Sequence, residues 1–139
     1  MTNSNIEKFN ELVGIIFAKL YESFPLKRDL FTDDILGKEF LASNSQEIGT
    51  SAEDEIFFLD SIDWLLMSGY IVGARSSGGC HNVVLTAKGL EVLKAVPQSL
   101  NSPLGERIVA AVNAEGRKAL SSLVSQALGL GLQYAIRSI

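Results

Sequence analysis

One cysteine and one histidine are all that 139 residues offer to thiol or metal chemistry. Cys80 has no second thiol to pair with, so an internal disulfide is excluded, which fits a reducing compartment. A structural zinc site needs four ligands in related spacings, and Cys80-His81 supplies two at best. His81 stands near Ser76 and Ser77, but nothing around it provides the buried acid and strained nucleophile turn of a hydrolase triad. The glycines from Gly73 to Gly79 lack the lysine-terminated spacing of a phosphate loop. Asp33-Asp34 and Asp54-Glu55 sit where helices begin and read as first-turn charges rather than acid–base pairs. No catalytic residue, metal or cofactor is therefore expected.

Basic charge is also scarce through the middle of the chain. Between Arg28 and Arg75 the only basic residue is Lys38, and the formal net charge is −4. A local basic patch is still possible, but nothing provides general attraction to phosphate or anionic lipid. Long apolar runs are missing too. The longest uncharged stretch, Ala119 to Ile136, holds three serines, two glutamines and two interior glycines. That composition suits a packing helix better than a bilayer span. Met1 to Asn5 has no basic segment followed by an apolar core, so no secretory signal is read and a cytoplasmic location is expected.

What the chain does have is apolar content in periodic order. Hydrophobic residues make up 47 % and charged ones 20 %, too apolar for disorder. A chain of this length buries roughly two-thirds of its unfolded surface and needs no disulfide or metal to fold. From 5 to 24, Ile6, Phe9, Val13, Ile16, Phe17, Leu20 and Phe24 recur at helical spacing, and Pro25 ends the run. Thr32 reads as the N-cap of a second helix whose buried side is Ile35, Leu36, Phe40 and Leu41. Ala42 to Gly49 is polar and aperiodic, a loop. Thr50-Ser51-Ala52-Glu53 fits a capping box, and the helix it opens runs to Ser68, where Gly69 supplies the left-handed stop.

Two short β-rich runs follow, Tyr70 to Ala74 and Asn82 to Leu85, joined by Ser76-Ser77-Gly78-Gly79. Thr86 caps the next helix, which carries Leu90, Val92, Leu93 and Val96 before Pro97. Asn101-Ser102-Pro103 is the candidate boundary. Beyond it two further helices are expected, Leu104 to Asn113 and about Gly116 to Ile139.

"WLLMSGYI", a glycine-rich hairpin and then "LTAKGLEVL" together resemble the helix–hairpin–helix end of winged-helix proteins. The resemblance covers about residues 5 to 96. "LYESFPLKRDL" is similar to a stretch found in uncharacterised bacterial proteins, and it adds no chemistry. The resemblance implies a mainly α fold with a small antiparallel β-hairpin (α+β): a winged-helix-like domain over 1–100 and a helical extension over 101–139. In that superfamily the helix before the wing lies in the major groove. Here that helix carries Glu53, Asp54, Glu55, Asp60 and Asp63 and no lysine or arginine. Duplex DNA bears a charge every ~1.7 Å, so these carboxylates would be repelled without counterion release to compensate. The loop before the helix also exceeds the 3–4 residues, roughly, of a helix-turn-helix joint.

Three groups of residues then compete for a role. On the helix before the hairpin Ile56, Leu59, Ile62, Leu65 and Leu66 suit the core, which leaves Glu53, Phe57, Asp60, Ser61 and Trp64 on an adjoining face. Phe57, Asp60, Ser61 and Trp64 form the candidate protein-binding surface. The alternative is that Trp64 and Phe57 pack under the C-terminal extension. Arg75, His81 and Lys88 could meet a phosphate backbone from the wing, weakly and without sequence selection, or be ordinary solvated charges. Leu120, Leu123, Val124, Ala127, Leu128 and Ala135 form an apolar stripe that something must cover. By analogy with winged-helix dimers this stripe is the expected homodimer interface, and the other possibility is that the helix returns onto its own domain. The expected function is a non-catalytic protein-interaction or regulatory module. The alternative is a DNA-binding transcriptional regulator that contacts phosphates through its wing.

Overall fold

The first helix is fixed by its cap. Ser4 Oγ accepts from Glu7 N at 3.2 Å, and the Glu7 carboxylate accepts from Ser4 N at 3.4 Å, a reciprocal capping box. From there α1 runs Asn5–Ser23. A computed structural model describes residues 4–35, 52–97, 101–114 and 117–137, with the side chains of the last helix from 118 to 133. After α1 come β1 (Arg28–Phe31), α2 (Thr32–Ile35), α3 (Ala52–Met67), β2 (Ile71–Ser76), β3 (Gly79–Leu85), α4 (Ala87–Lys94), α5 (Leu104–Asn113) and α6 (Arg117–Arg137). The protein is mainly helical with a small three-stranded antiparallel sheet in the order β1-β3-β2.

α1 is the axis of the molecule. Leu12, Val13, Ile16, Phe17 and Leu20 are fully buried, and even Asn10 and Glu11 on its polar side are covered. The reason is packing from two directions. α2, α3 and β3 lie against one part of α1, and α5 and α6 lie against another. Asn10 Nδ2 donates to Ser121 Oγ across the α1–α6 contact at 3.3 Å. One hydrophobic core therefore takes in Leu104, Ile108, Leu120, Val124 and Ala127 from beyond the Asn101–Pro103 joint, together with residues of α1 and the sheet.

The hairpin forms where the two β-rich runs predicted it, with a tighter turn. Ser76 pairs with Gly79, so β3 starts three residues before Asn82. A bulge at His81-Asn82 shifts the register against both neighbours: Val72↔Val84 gives way to Ala74↔His81, and Arg28↔Val83 to Leu30↔Cys80. Asn82 adopts the left-handed region at φ 55, which asparagine tolerates, and its amide donates to Asp29 Oδ1 at 2.9 Å. The third strand, β1, is an addition to the expected hairpin. Thr32 also differs from expectation: its hydroxyl donates to Gly78 O at 3.2 Å, binding α2 to the hairpin turn instead of capping a helix. Leu36, Phe40, Leu41, the loop 42–49 and the Thr50-Ser51 end of the capping box lie outside the described residues.

The corner from α3 through β2 to α4 explains the Thr-x-x-Gly pattern. Gly69, at φ +81, ends α3 as its position predicts. Thr86 Oγ1 accepts from Gly89 N at 3.0 Å, capping α4, and donates to Gly69 O at 2.5 Å. Thr86 N donates to Tyr70 O at 3.1 Å. A Cβ on Gly89 would stand 2.3 Å from that same carbonyl, a backbone atom that cannot swing aside. Gly89→Ala is accordingly expected to cost about 1–3 kcal/mol by overpacking. Gly78→Ala, whose Cβ would meet open space, should change stability by less than about 0.5 kcal/mol. Urea unfolding of the two variants checks the pair, and equal midpoints would remove the close approach as the reason for Gly89.

Candidate protein-interaction surface

α3 is apolar on nearly every side, so its rotation decides which side chains remain for function. Phe58, Ser61, Ile62 and Leu65 are the buried set. Ile56, expected in the core, faces outward at 59 % exposure. The large Phe58 ring takes the interior instead, fully buried, and the helix turns Ile56 away with it. Met67 is the most open large hydrophobe of the described residues at 81 %. At 3.6 residues per turn, Glu53, Ile56, Asp60, Trp64 and Met67 fall on one outer stripe.

The four residues expected to form a binding patch are therefore divided. Ser61 is buried and its hydroxyl donates to Phe57 O at 2.7 Å, a bond within the helix. Phe57 is half-buried, with the Lys8 ammonium 4.6 Å from its ring centre. Lys8 also bonds Asp54 Oδ1 at 3.1 Å. Asp60 is exposed, and Trp64 keeps 39 % of its surface open. One face of the indole stacks on Tyr70 at 5.9 Å, and Phe9 meets it edge-on at 5.3 Å. Asp60 and Trp64 stay on the outer face, where Ile56 and Met67 join them. The signal for these two was the three-and-four spacing from Glu53, which the competing core spacing Ile56-Leu59-Ile62 masked.

Arg75, His81 and Lys88 are brought to the hairpin and its neighbouring corner and are engaged there. Arg75 forks onto Asp63, Nε to Oδ1 at 2.7 Å and Nη2 to Oδ2 at 3.4 Å, and its Nη1 donates to Ser76 O. His81 Nδ1 faces Asp29 Oδ1 at 3.6 Å, with the ring edge-on to Phe31 at 5.1 Å. Lys88 Nζ donates to Ser68 O at 2.7 Å and sits 4.3 Å from the Tyr70 ring centre. Each of the three side chains already has a partner within the chain.

The apolar stripe of the tail is covered by its own chain. Leu120, Leu123, Val124 and Ala127 belong to the core, and Leu128 packs against it half-buried. The premise for a dimer there, an uncovered stripe, does not hold for these residues, because α1 lies over the helix that carries them. The side chain of Ala135 lies outside those described. Tyr70 fastens the same helix to the hairpin side: its hydroxyl donates to Leu128 O at 3.2 Å, and a Cβ on Gly131 would collide with it. Burial raises the Tyr70 pKa above the ordinary 10.0. Burial likewise pushes the Cys80 thiol up, keeping it in its unreactive neutral form.

Among the described residues, no group of His, Cys, Asp and Glu is arranged to hold a metal ion, and no helix is long and apolar enough to cross a membrane. In comparisons with known proteins, no family model matches the chain, and neither a curated protein nor a solved structure matches it.

Two measurements test this arrangement. Tyr70→Phe removes one hydrogen bond and is expected to cost about 1 kcal/mol at pH 7. With a folded pKa raised above 10.0, the stabilising effect of Tyr70 is complete below pH 10 and is lost as pH rises through the folded value. The Phe variant should therefore lose less stability above pH 10 than the wild type, and parallel curves would take Tyr70 out of the alkaline transition. Leu128→Glu is expected to lower the unfolding midpoint equally at all protein concentrations. A dimer across the stripe would instead make the wild-type midpoint rise with concentration.

Proposed function

We propose that this chain is a non-catalytic, winged-helix-like interaction module that acts through protein contacts on the outer face of α3. The order of α3, a glycine-tipped hairpin and a Thr-capped α4 supports the winged-helix assignment. The observation that carries the functional reading is that face: Ile56, Trp64 and Met67 exposed among carboxylates on a helix without a single lysine or arginine. Trp and Met are residue types that dominate contact energy at protein interfaces, and charge at their edge sets partner choice. The same face repels a duplex. The wing alternative is weakened because Arg75, His81 and Lys88 hold partners within the chain.

A photo-cross-linking amino acid at position 67, introduced in the native host, is expected to trap a discrete partner. Ile56→Asp should abolish that adduct, and the same probe at the exposed Glu91 of α4 should give none. Selection from randomised duplex DNA at moderate salt is expected to enrich no motif. A motif that is enriched, and is lost with Arg75→Ala, would transfer the function to the wing.

A further inference from the structure

We infer that the partner on the outer face of α3 is a basic, amphipathic helical segment of another protein. The inference rests on the interaction reading above and adds the chemistry of what binds.

The charge arrangement points to that chemistry. Of the five carboxylates on α3, Asp54 is met by Lys8 at 3.1 Å and Asp63 by Arg75 at 2.7 Å. Glu53, Glu55 and Asp60 are exposed and make no ion pair among the described residues. Two of these three, Glu53 and Asp60, lie on the same stripe as Ile56, Trp64 and Met67. Ile56 and Met67 are about 16 Å apart along the axis at 1.5 Å per residue, with Asp60 between them. The complement of that stripe is a segment with apolar side chains about three helical turns apart and lysine or arginine between and beyond them. A helix keeps such anchors on one face, and side chains there can enter beside the thioether of Met67, which adapts its shape to a contact.

The same arrangement excludes two other occupants. A second copy using the same face would be related by a two-fold axis, which brings a second set of the same carboxylates into the contact with Asp60, at the middle of the stripe, beside its own counterpart. Like charges so placed oppose association. Anionic polymers and anionic lipid surfaces are repelled for the same reason. A cationic partner gains from all of these carboxylates, and it meets no lysine or arginine on α3.

The probe is a phage-displayed library of random peptides about 16 residues long, between four and five turns, selected on the immobilised full chain. Enriched peptides are expected to carry two apolar positions flanking lysine or arginine, and their affinity should fall as salt is raised. Asp60→Lys should weaken them about ten-fold or more, and changing the central peptide lysine to glutamate should restore binding to that variant. Met67→Glu should abolish binding, with circular dichroism showing both variants folded. Neutral or acidic peptides that are lost with Met67→Glu but unmoved by Asp60→Lys would overturn the basic partner and leave the interaction face standing. Peptides indifferent to both Ile56→Asp and Met67→Glu, or no enrichment at all, would overturn the partner and the face together.

Discussion

Five elements meet at the Tyr70 side chain and its carbonyl, and the placement of every candidate surface depends on that junction. The ring tilts on Phe17 of α1 at 5.9 Å and stacks on Trp64 of α3. Its hydroxyl bonds the backbone of α6, its carbonyl accepts the amide of Thr86 at the start of α4, and β2 begins at the next residue. Most of this ring is buried, so its polar end needs a partner, and the Leu128 carbonyl provides one without exposing the core. With α6 held there, Leu120, Leu123, Val124 and Ala127 become part of the core. With Trp64 stacked there, the outer face of α3 gains a rigid aromatic edge.

Charge is distributed by the same packing. Lys8, Arg75 and Lys88 each lie against α3, its C-terminal turn or the junction, and each is held by a carboxylate, a carbonyl or an aromatic ring. Single exposed ion pairs contribute little to stability, about 0–1 kcal/mol. Their larger effect here is on what the surface presents. The cations are drawn toward the chain's own acids, and the carboxylates left over point outward from α3. The result is an acidic outer face on α3, which opposes the approach of a phosphate backbone.

Local signals in the sequence are those that act over a few residues, and these were legible. The α1 periodicity, the Gly69 stop, the Thr86 cap and the glycine-tipped hairpin all depend on neighbours within about one turn or one strand length. The strand β1 was not legible. Arg28-Asp29-Leu30-Phe31 is too short and too charged to show alternation, and it is a strand only because β3 lies beside it some fifty positions later. The rotation of α3 was hidden for another reason. Nearly every turn of that helix offers an apolar residue, so Ile56 and Phe58 were both credible core residues, and only the tertiary fit of the larger ring decides between them.

The candidate site inherits that ambiguity. Asp60 and Trp64 were picked out because an acid and an indole are conspicuous on any face, whereas Ile56 was absorbed into an expected core and Met67 was assigned no role. The rotation of α3 sets Ser61 inside and leaves Phe57 half-buried with the Lys8 ammonium over its ring. The tail shows the same limit from the opposite side. A stripe of leucine, valine and alanine states that something must cover it, but burial is non-directional and the residues themselves do not specify the cover. What specifies it are polar contacts at two separated points: Asn10 to Ser121 near one end of α6, and Tyr70 to Leu128 further along. Two fixed points set both the position and the direction of a helix. Together they seat the described part of α6 on its own chain, while α3 turns outward a face that combines exposed Ile56, Trp64 and Met67 with the carboxylates of Glu53 and Asp60.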